Sequence, residues 1–356
     1  MWATGYYGYL TDYLLGWLCV FSVLAHTWCF FRFVPRKGAR AAGLILGNSL
    51  VALSILSVVA MTMESYLRFL STSTDTFGAT LTCKRWKAVY APTNSLEHRD
   101  REWTTSKPAG VRRIAFVGDS FTYGWGIDDP ANRFTDIVQR KFDQRSPGTV
   151  EVMNVAWGAW DTRAQSRHLN IILRDYDVDE VVLCYLPNDI EKTLPLPADH
   201  DPTKPPKPVL FRTESSFLLD YLFYRVYAPR ISRGFDYFDW VADGFASETV
   251  WREHQNDLGS IIQQCREKNA TFRAVLLPFI LTGGTRFDAR AVHQRLRNFF
   301  ELNHVPVADL LPVIEGRNPK NLVVNGHDAH PNELANELFA EAIWKAFYED
   351  KRRPHD

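Results

Sequence analysis

Residues 112–124 read Arg-Arg-Ile-Ala-Phe-Val-Gly-Asp-Ser-Phe-Thr-Tyr-Gly. A short apolar run, Ile114–Val117, ends abruptly in Gly118-Asp119-Ser120. A run of this length bounded by turn residues reads as a strand buried on both faces. The serine just past it, flanked by glycines, can present its Oγ and a backbone N–H at the sheet edge, as a nucleophile requires. The alternative for the same residues is an ordinary strand-end turn with an N-capping serine. A dinucleotide loop fits poorly, because Gly124-Trp125-Gly126 lacks the third glycine.

Moving outward, the same rhythm recurs. Strand-like runs cover 150–156, 179–186, 271–278 and, shorter, 305–310; helical patterns cover 131–145, 161–175, 247–268, 287–303 and 332–349. Apolar strands alternating with helices predict βαβ units and a parallel sheet covered on both faces. Sites in such sheets lie at the carboxyl ends of the strands. Three further strand-end or pre-helix segments carry suitable chemistry. They are NVAWGAW with Gly158, LPND with Asn188, and His327-Asp328-Ala329-His330-Pro331. Gly158 can bring a backbone N–H close to a ligand. Asn188 can aim an amide at the same point. An imidazole and a carboxylate two residues apart can supply a base and the group that orients it. A metal set of His327, Asp328 and His330 has no further ligand cluster to complete it.

Taken in order, these four blocks resemble those of the SGNH (GDSL-type) hydrolase family, with Ser120, Gly158, Asn188 and His330 in the family's positions. The resemblance spans about 111–349. It implies a three-layer αβα, flavodoxin-like parallel sheet, no cofactor, and hydrolysis or transfer of acyl groups. By the same carry-over, Ser120, His330 and Asp328 are the catalytic set. The Ser120 and Gly158 N–H groups and the Asn188 amide form the oxyanion hole. Two departures stand out. The family usually places its acid three residues before the histidine, where this chain has His327; the nearest acid, Asp328, is two before. Leu186-Pro187 precede Asn188 where a glycine is usual, and proline removes one N–H from that turn.

The N-terminus carries a different signal. Residues 13–31 and 41–63 contain no charged side chain. At about 1.5 Å per residue each is long enough to cross a hydrocarbon core of about 30 Å. Between them lie Arg32, Arg36, Lys37 and Arg40. The expectation is a transmembrane helical hairpin, about 13–33 and 41–63, with its basic turn in the cytoplasm and the catalytic domain outside. A signal peptide fits less well, since no Lys or Arg precedes the first run. Residues 64–110 are expected to be a partly ordered linker.

Composition narrows the rest. With 41 basic and 41 acidic residues in 356, the chain is neither a broadly basic nucleic-acid binder nor an acidic disordered one. Five cysteines form no disulfide framework or zinc pattern, though one bridge involving Cys83 stays open. An insertion at 190–246 begins with six prolines in 194–208 and continues with eleven aromatics in 211–245. It is expected to cap the site and to leave part of its aromatic face for a partner or a membrane interface. The substrate expected for an enzyme so placed is an O-acyl ester, the O-acetyl group above all, on an envelope or exported carbohydrate. The other readings are a lipid esterase and a non-catalytic glycan-binding or scaffold subunit of a membrane acylation complex.

Overall fold

The computed structural model describes residues 10–33, 41–194, 215–227 and 236–349. Five of the expected runs pair into one parallel sheet: β1 (Arg112–Gly118), β2 (Val150–Ala156), β3 (Glu180–Tyr185), β4 (Thr271–Leu276) and β5 (Val307–Asp309). Their order is β2-β1-β3-β4-β5, the flavodoxin-like arrangement, which reverses direction between β1 and β3. The chain therefore leaves β1 and β3 side by side at the point where ligand crevices open.

Alternate side chains of the strands feed two separate cores. Ala115, Val117, Val181, Leu183 and Leu276 pack against the helices Thr162–Asp175, Glu248–Glu267 and Ala289–Leu302. Ile114, Phe116, Val182, Cys184 and Val275 pack against Phe134–Arg145 and Glu333–Phe347. The helices obey the matching period: Val292, Leu296, Phe299 and Phe300 make one buried stripe. Since both sheet faces are covered, the strand centres are dominated by apolar residues, and the buried polar side chains Arg113, Asn154 and Glu180 are held by hydrogen bonds or ion pairs.

The two N-terminal runs are helices Leu10–Phe33 and Ala41–Phe69, both long and apolar enough to cross a membrane. They pair antiparallel. Tyr13 Oη lies 2.9 Å from Ser65 Oγ, and Thr27 Oγ1 lies 2.8 Å from Ser54 Oγ. Gly16 lets Met61 approach, and Gly47 does the same for Phe30. The basic turn, with Arg36, Lys37 and Arg40, falls outside the described residues.

The segment expected to be a linker differs from that expectation. The second helix runs on to Phe69, and Leu81–Tyr90 forms another helix that buries Cys83, Arg85 and Trp86. Charged side chains inside this stretch find buried partners, which composition alone does not show. Cys83 is a free thiol, as are the other four cysteines. The chain divides into two compact units. One holds residues 1–73, 77–88 and 203–233; the other holds 74–76, 89–202 and 234–356. The insertion is thus shared between them. Its proline-rich part, 195–214, and Phe235 lie outside the described residues. Among the described residues, Phe217 and Phe223 are buried within the first unit. Tyr237 and Trp240 pack on the core of the second. Tyr221 and Tyr224 are half-buried, so among the described residues of the insertion the exposed large apolar side chains are Leu222 and Val226 rather than aromatics.

Candidate active site

The chain leaves β1 through a turn that only glycine fits. A Cβ on Gly118 would stand 2.1 Å from Thr122 Oγ1 and 3.1 Å from the Cys184 carbonyl. Asp119 follows as a cap, its Oδ1 accepting the Phe121 N–H at 2.9 Å. Ser120 then opens a one-turn helix, Ser120–Tyr123, with its side chain at the sheet edge.

From the other end of the chain, the short strand Asp328–Pro331 brings His330 to the same place. His330 Nε2 lies 2.8 Å from Ser120 Oγ, and His330 Nδ1 lies 2.5 Å from Asp328 Oδ1. Asp328 also accepts the backbone N–H of His330 at 3.2 Å. The imidazole contacts two aromatic rings, Phe121 at 5.4 Å and Trp125 at 5.9 Å between centroids. Asp328 and His330 are both buried. Burial opposes the charge of Asp328, but the His330 charge, the ring hydrogen bond and the Thr74 hydroxyl outweigh it and hold the carboxylate below its usual range. His327, three residues before His330, is exposed, and its backbone carbonyl accepts the Thr76 N–H at 3.2 Å.

Gly158 and Asn188 also stand where the family's blocks place them in the chain, after β2 and β3. Gly158 sits in a turn closed by the Trp160 N–H on the Trp157 carbonyl, at 3.3 Å. Ala159 takes a left-handed φ of 62° to make it. For a residue with a Cβ that conformation costs on the order of 1 kcal/mol, and such strain concentrates at functional sites. Among the described residues neither the Ser120 nor the Gly158 N–H has a protein acceptor. The indole of Trp125 lies against Gly158 as well as against His330.

Asn188 is surrounded by buried acids. Its amide interacts with Asp119 and with the Tyr237 hydroxyl, and Tyr237 donates to Glu191. Burial pushes Asp119 up to about 6. Burial, then the Asp119 charge, pushes its neighbour Asp189 well above the ordinary carboxylate range. A raised folded-state pKa favours the protein below the unfolded value near 4, and that advantage is lost as pH rises through about 6. Asp119→Asn keeps an oxygen for the Phe121 N–H and removes the ionisation. Thermal melts of the detergent-solubilised chain are therefore expected to fall between pH 4.5 and 7.5 for the native sequence, by about 2–3 kcal/mol in stability, and to be flatter for the variant. An equal fall in both would remove Asp119 as the source.

Two contributors were invisible in sequence. Thr74 and Thr76, in the expected linker, bind the histidine segment. Thr76 Oγ1 accepts the Ala329 N–H at 3.0 Å, and the Thr74 carbonyl accepts from Asn325 at 3.2 Å. The neighbouring Asp75 carbonyl accepts the Trp125 indole N–H at 3.2 Å. No local signal marks them, since threonines in a Ser/Thr-rich stretch read as tether. A separate cavity of about 320 Å³, lined by Arg99, Asp100, Arg133 and Asn154 among others, contains none of the four block residues. The Arg99 guanidinium in it is engaged by the carbonyls of Tyr90, Gly124 and Ile127.

Residues 116–338 match the model of the GDSL-like Lipase/Acylhydrolase family. The chain belongs to that family. This GDSL-like acylhydrolase is accordingly a serine esterase or hydrolase, acting on ester bonds. A search of curated proteins returned no match. Among solved structures it is similar to the psychrotrophic esterase EstA from Pseudoalteromonas sp., at 14% identity over 66% of this chain and 96% of that one, with a TM-score of 0.41. It is also similar to a lipolytic protein of the G-D-S-L family from Veillonella parvula, at 16% identity over 67% and 100% of the two chains and a TM-score of 0.41. A third is a mutant of Axe2, an acetyl-xylooligosaccharide esterase from Geobacillus Stearmophilus, at 13% identity over 68% and 97% and a TM-score of 0.43. These likenesses are distant, and membership rests on the family match.

Proposed function

We propose that this acylhydrolase is anchored in a membrane by its N-terminal hairpin and acts outside the cytoplasm on O-acyl groups of a carbohydrate, either hydrolysing them or passing them to another hydroxyl. The observation that carries the chemistry is the Ser120–His330–Asp328 chain, with contacts of 2.8 and 2.5 Å. In the first step His330 Nε2 takes the proton of Ser120 as Oγ attacks the ester carbonyl. Asp328 keeps Nδ1 protonated and stabilises the imidazolium that forms. The negative charge on the carbonyl oxygen is met by the Ser120 and Gly158 N–H groups and by the Asn188 amide. The imidazolium then protonates the departing alcohol, leaving an acyl-serine. Water or an acceptor hydroxyl, deprotonated by His330, releases the acyl group and restores Ser120.

Support for a carbohydrate comes from two half-buried indoles, Trp125 against His330 and Trp157 edge-on to Tyr123 in the turn of helix that carries Ser120. Indole faces stack on the C–H faces of sugar rings, and they also suit an apolar acyl chain, so the competing substrate is a lipid ester. Support for the location is the uncharged length of both helices and the basic turn between them. The test uses the full chain in detergent or vesicles, supplied in parallel with O-acetylated oligosaccharide and with phospholipid. Acetate released, or moved to an acceptor sugar, at a rate exceeding fatty-acid release by tenfold or more is the expected result. Preferential release of fatty acid would replace the carbohydrate reading with the lipid one. Turnover of neither substrate, with Ser120 unreactive to a fluorophosphonate, would favour a binding subunit.

A further inference from the structure

The insertion sends a helical stretch, Phe217–Leu222 continued by one wider turn through Tyr227, into the same unit as the hairpin. We propose that this stretch is a second membrane contact, an interfacial helix that lays Leu222 and Val226 into the boundary between headgroups and acyl chains. The proposal rests on the hairpin being membrane-spanning.

Depth is the first argument. Residues 41–63 are uncharged, and at about 1.5 Å rise per residue they cover about 34 Å, enough to cross a hydrocarbon core of about 30 Å with a slight tilt. Glu64 is the first charged residue after that run, so it stands at the boundary. The insertion helix begins on Glu64 itself. The carboxylate accepts from Ser216 Oγ at 2.9 Å, from the Phe217 N–H at 3.1 Å and from the Leu218 N–H at 2.8 Å. Arg68, one turn further along, pairs with Glu64 at 2.7 Å and donates to the Ser215 carbonyl. Its guanidinium also covers the Phe217 ring, with 5.1 Å to the centroid. Glu64 and Arg68 are both buried, so this is a fixed joint rather than a passing surface contact. A third tie comes from Asp220, which accepts the Leu81 N–H at 2.8 Å.

The second argument is the helix's own pattern. Phe217, Asp220 and Phe223 turn inward and are buried. Leu222 and Val226, one turn apart, are 38% and 40% exposed. Tyr221, Tyr224 and Tyr227 flank them, half-buried, and Arg225 shares the stretch. Tyrosine and arginine beside a narrow apolar stripe are the composition favoured at a lipid–water boundary.

Lipid is the occupant because the stripe belongs to the unit whose remaining apolar surface already demands it. Leu44, Ile45 and Leu56 on the hairpin are exposed above 60%, and at the boundary end Leu70 is 71% exposed. A helix hung at that depth meets the bilayer without any rearrangement.

The test uses the full chain, with Cys19→Ser and Cys29→Ser to remove the two exposed thiols, reconstituted in phosphatidylcholine–phosphatidylglycerol vesicles. Single variants Leu222→Cys, Leu56→Cys and Lys268→Cys carry an environment-sensitive fluorophore. Quenching by a nitroxide near the top of the lipid chain is compared with quenching by aqueous iodide. The expected result is nitroxide quenching at 222 several-fold above that at 268, with iodide quenching reduced to match. Iodide-dominated quenching at 222 beside nitroxide quenching at 56 would overturn the interfacial helix and leave the spanning hairpin intact. Absence of nitroxide quenching at both 56 and 222 would overturn the hairpin reading and the proposal with it. Protection of 222 from both quenchers would mean that a protein covers the stripe, which also overturns it.

Discussion

Ser120→Ala lowers ester turnover by a factor on the order of 10⁵–10⁶, the scale seen when a serine nucleophile is removed from a serine–histidine–acid set. The loss falls on kcat, because Oγ forms the bond that breaks in every cycle and contributes little to ground-state binding. The fold tolerates the change. Ser120 is half-buried at the first position of a short helix, and the cap of that helix is supplied by Asp119. Alanine is a good helix former and leaves one hydrogen bond to His330 unmade, a cost of about 1 kcal/mol. A variant whose melting temperature falls by no more than about 2–4 °C, with no turnover and no fluorophosphonate adduct, is the expected outcome. Labelling that persists in Ser120→Ala would assign the reactive serine to another position and dismantle the mechanism.

Asp328→Asn is expected to lower kcat by about 10⁴ while leaving KM near its native value, by analogy with the loss of the orienting acid in other triads. The side chain keeps its size, and one oxygen can still meet the His330 backbone N–H, now 3.2 Å from Oδ1. What disappears is the negative charge that fixes the Nδ1–H tautomer and steadies the imidazolium. His327→Ala provides the contrast, since His327 occupies the position where the family usually has its acid. With an exposed side chain, and with its backbone tied to Thr76 and Asn325, it is expected to stay within a few-fold of native activity. A large loss in His327→Ala and a small one in Asp328→Asn would reverse the assignment. The acid also predicts a direction for stability. Its folded pKa is depressed, so the stabilisation is present above about pH 4 and is lost as pH falls through the lower folded value.

How much of this was readable from residues alone depends on the range of the interaction. β1 to β5 and the five large helices of the αβα unit were legible because burial on both sheet faces leaves short, mostly apolar runs, and helix packing leaves a 3.6-residue stripe. The two membrane-length helices were legible because charge is absent over a whole span. Ser120, Gly158, Asn188 and His330 were legible as candidates because each follows or closes a local element with a turn signature.

What the sequence did not contain is the pairing of residues far apart along it. The tie between Thr76 and Ala329 joins positions 253 apart and has no periodicity to detect. Nor does any motif announce that Glu64 will hold the start of a helix at Phe217, which is why 64–110 reads as a linker and 190–246 as one insertion. The left-handed turn at Ala159 is likewise hidden, because alanine is not a residue that signals positive φ. Local composition determined which segments become strands, helices and membrane-length spans, since hydrophobic burial acts on each element separately. Only tertiary structure decided which polar atoms meet, because a buried hydrogen bond selects its partner by position in space after the chain has folded, and distance along the chain leaves no trace of that choice.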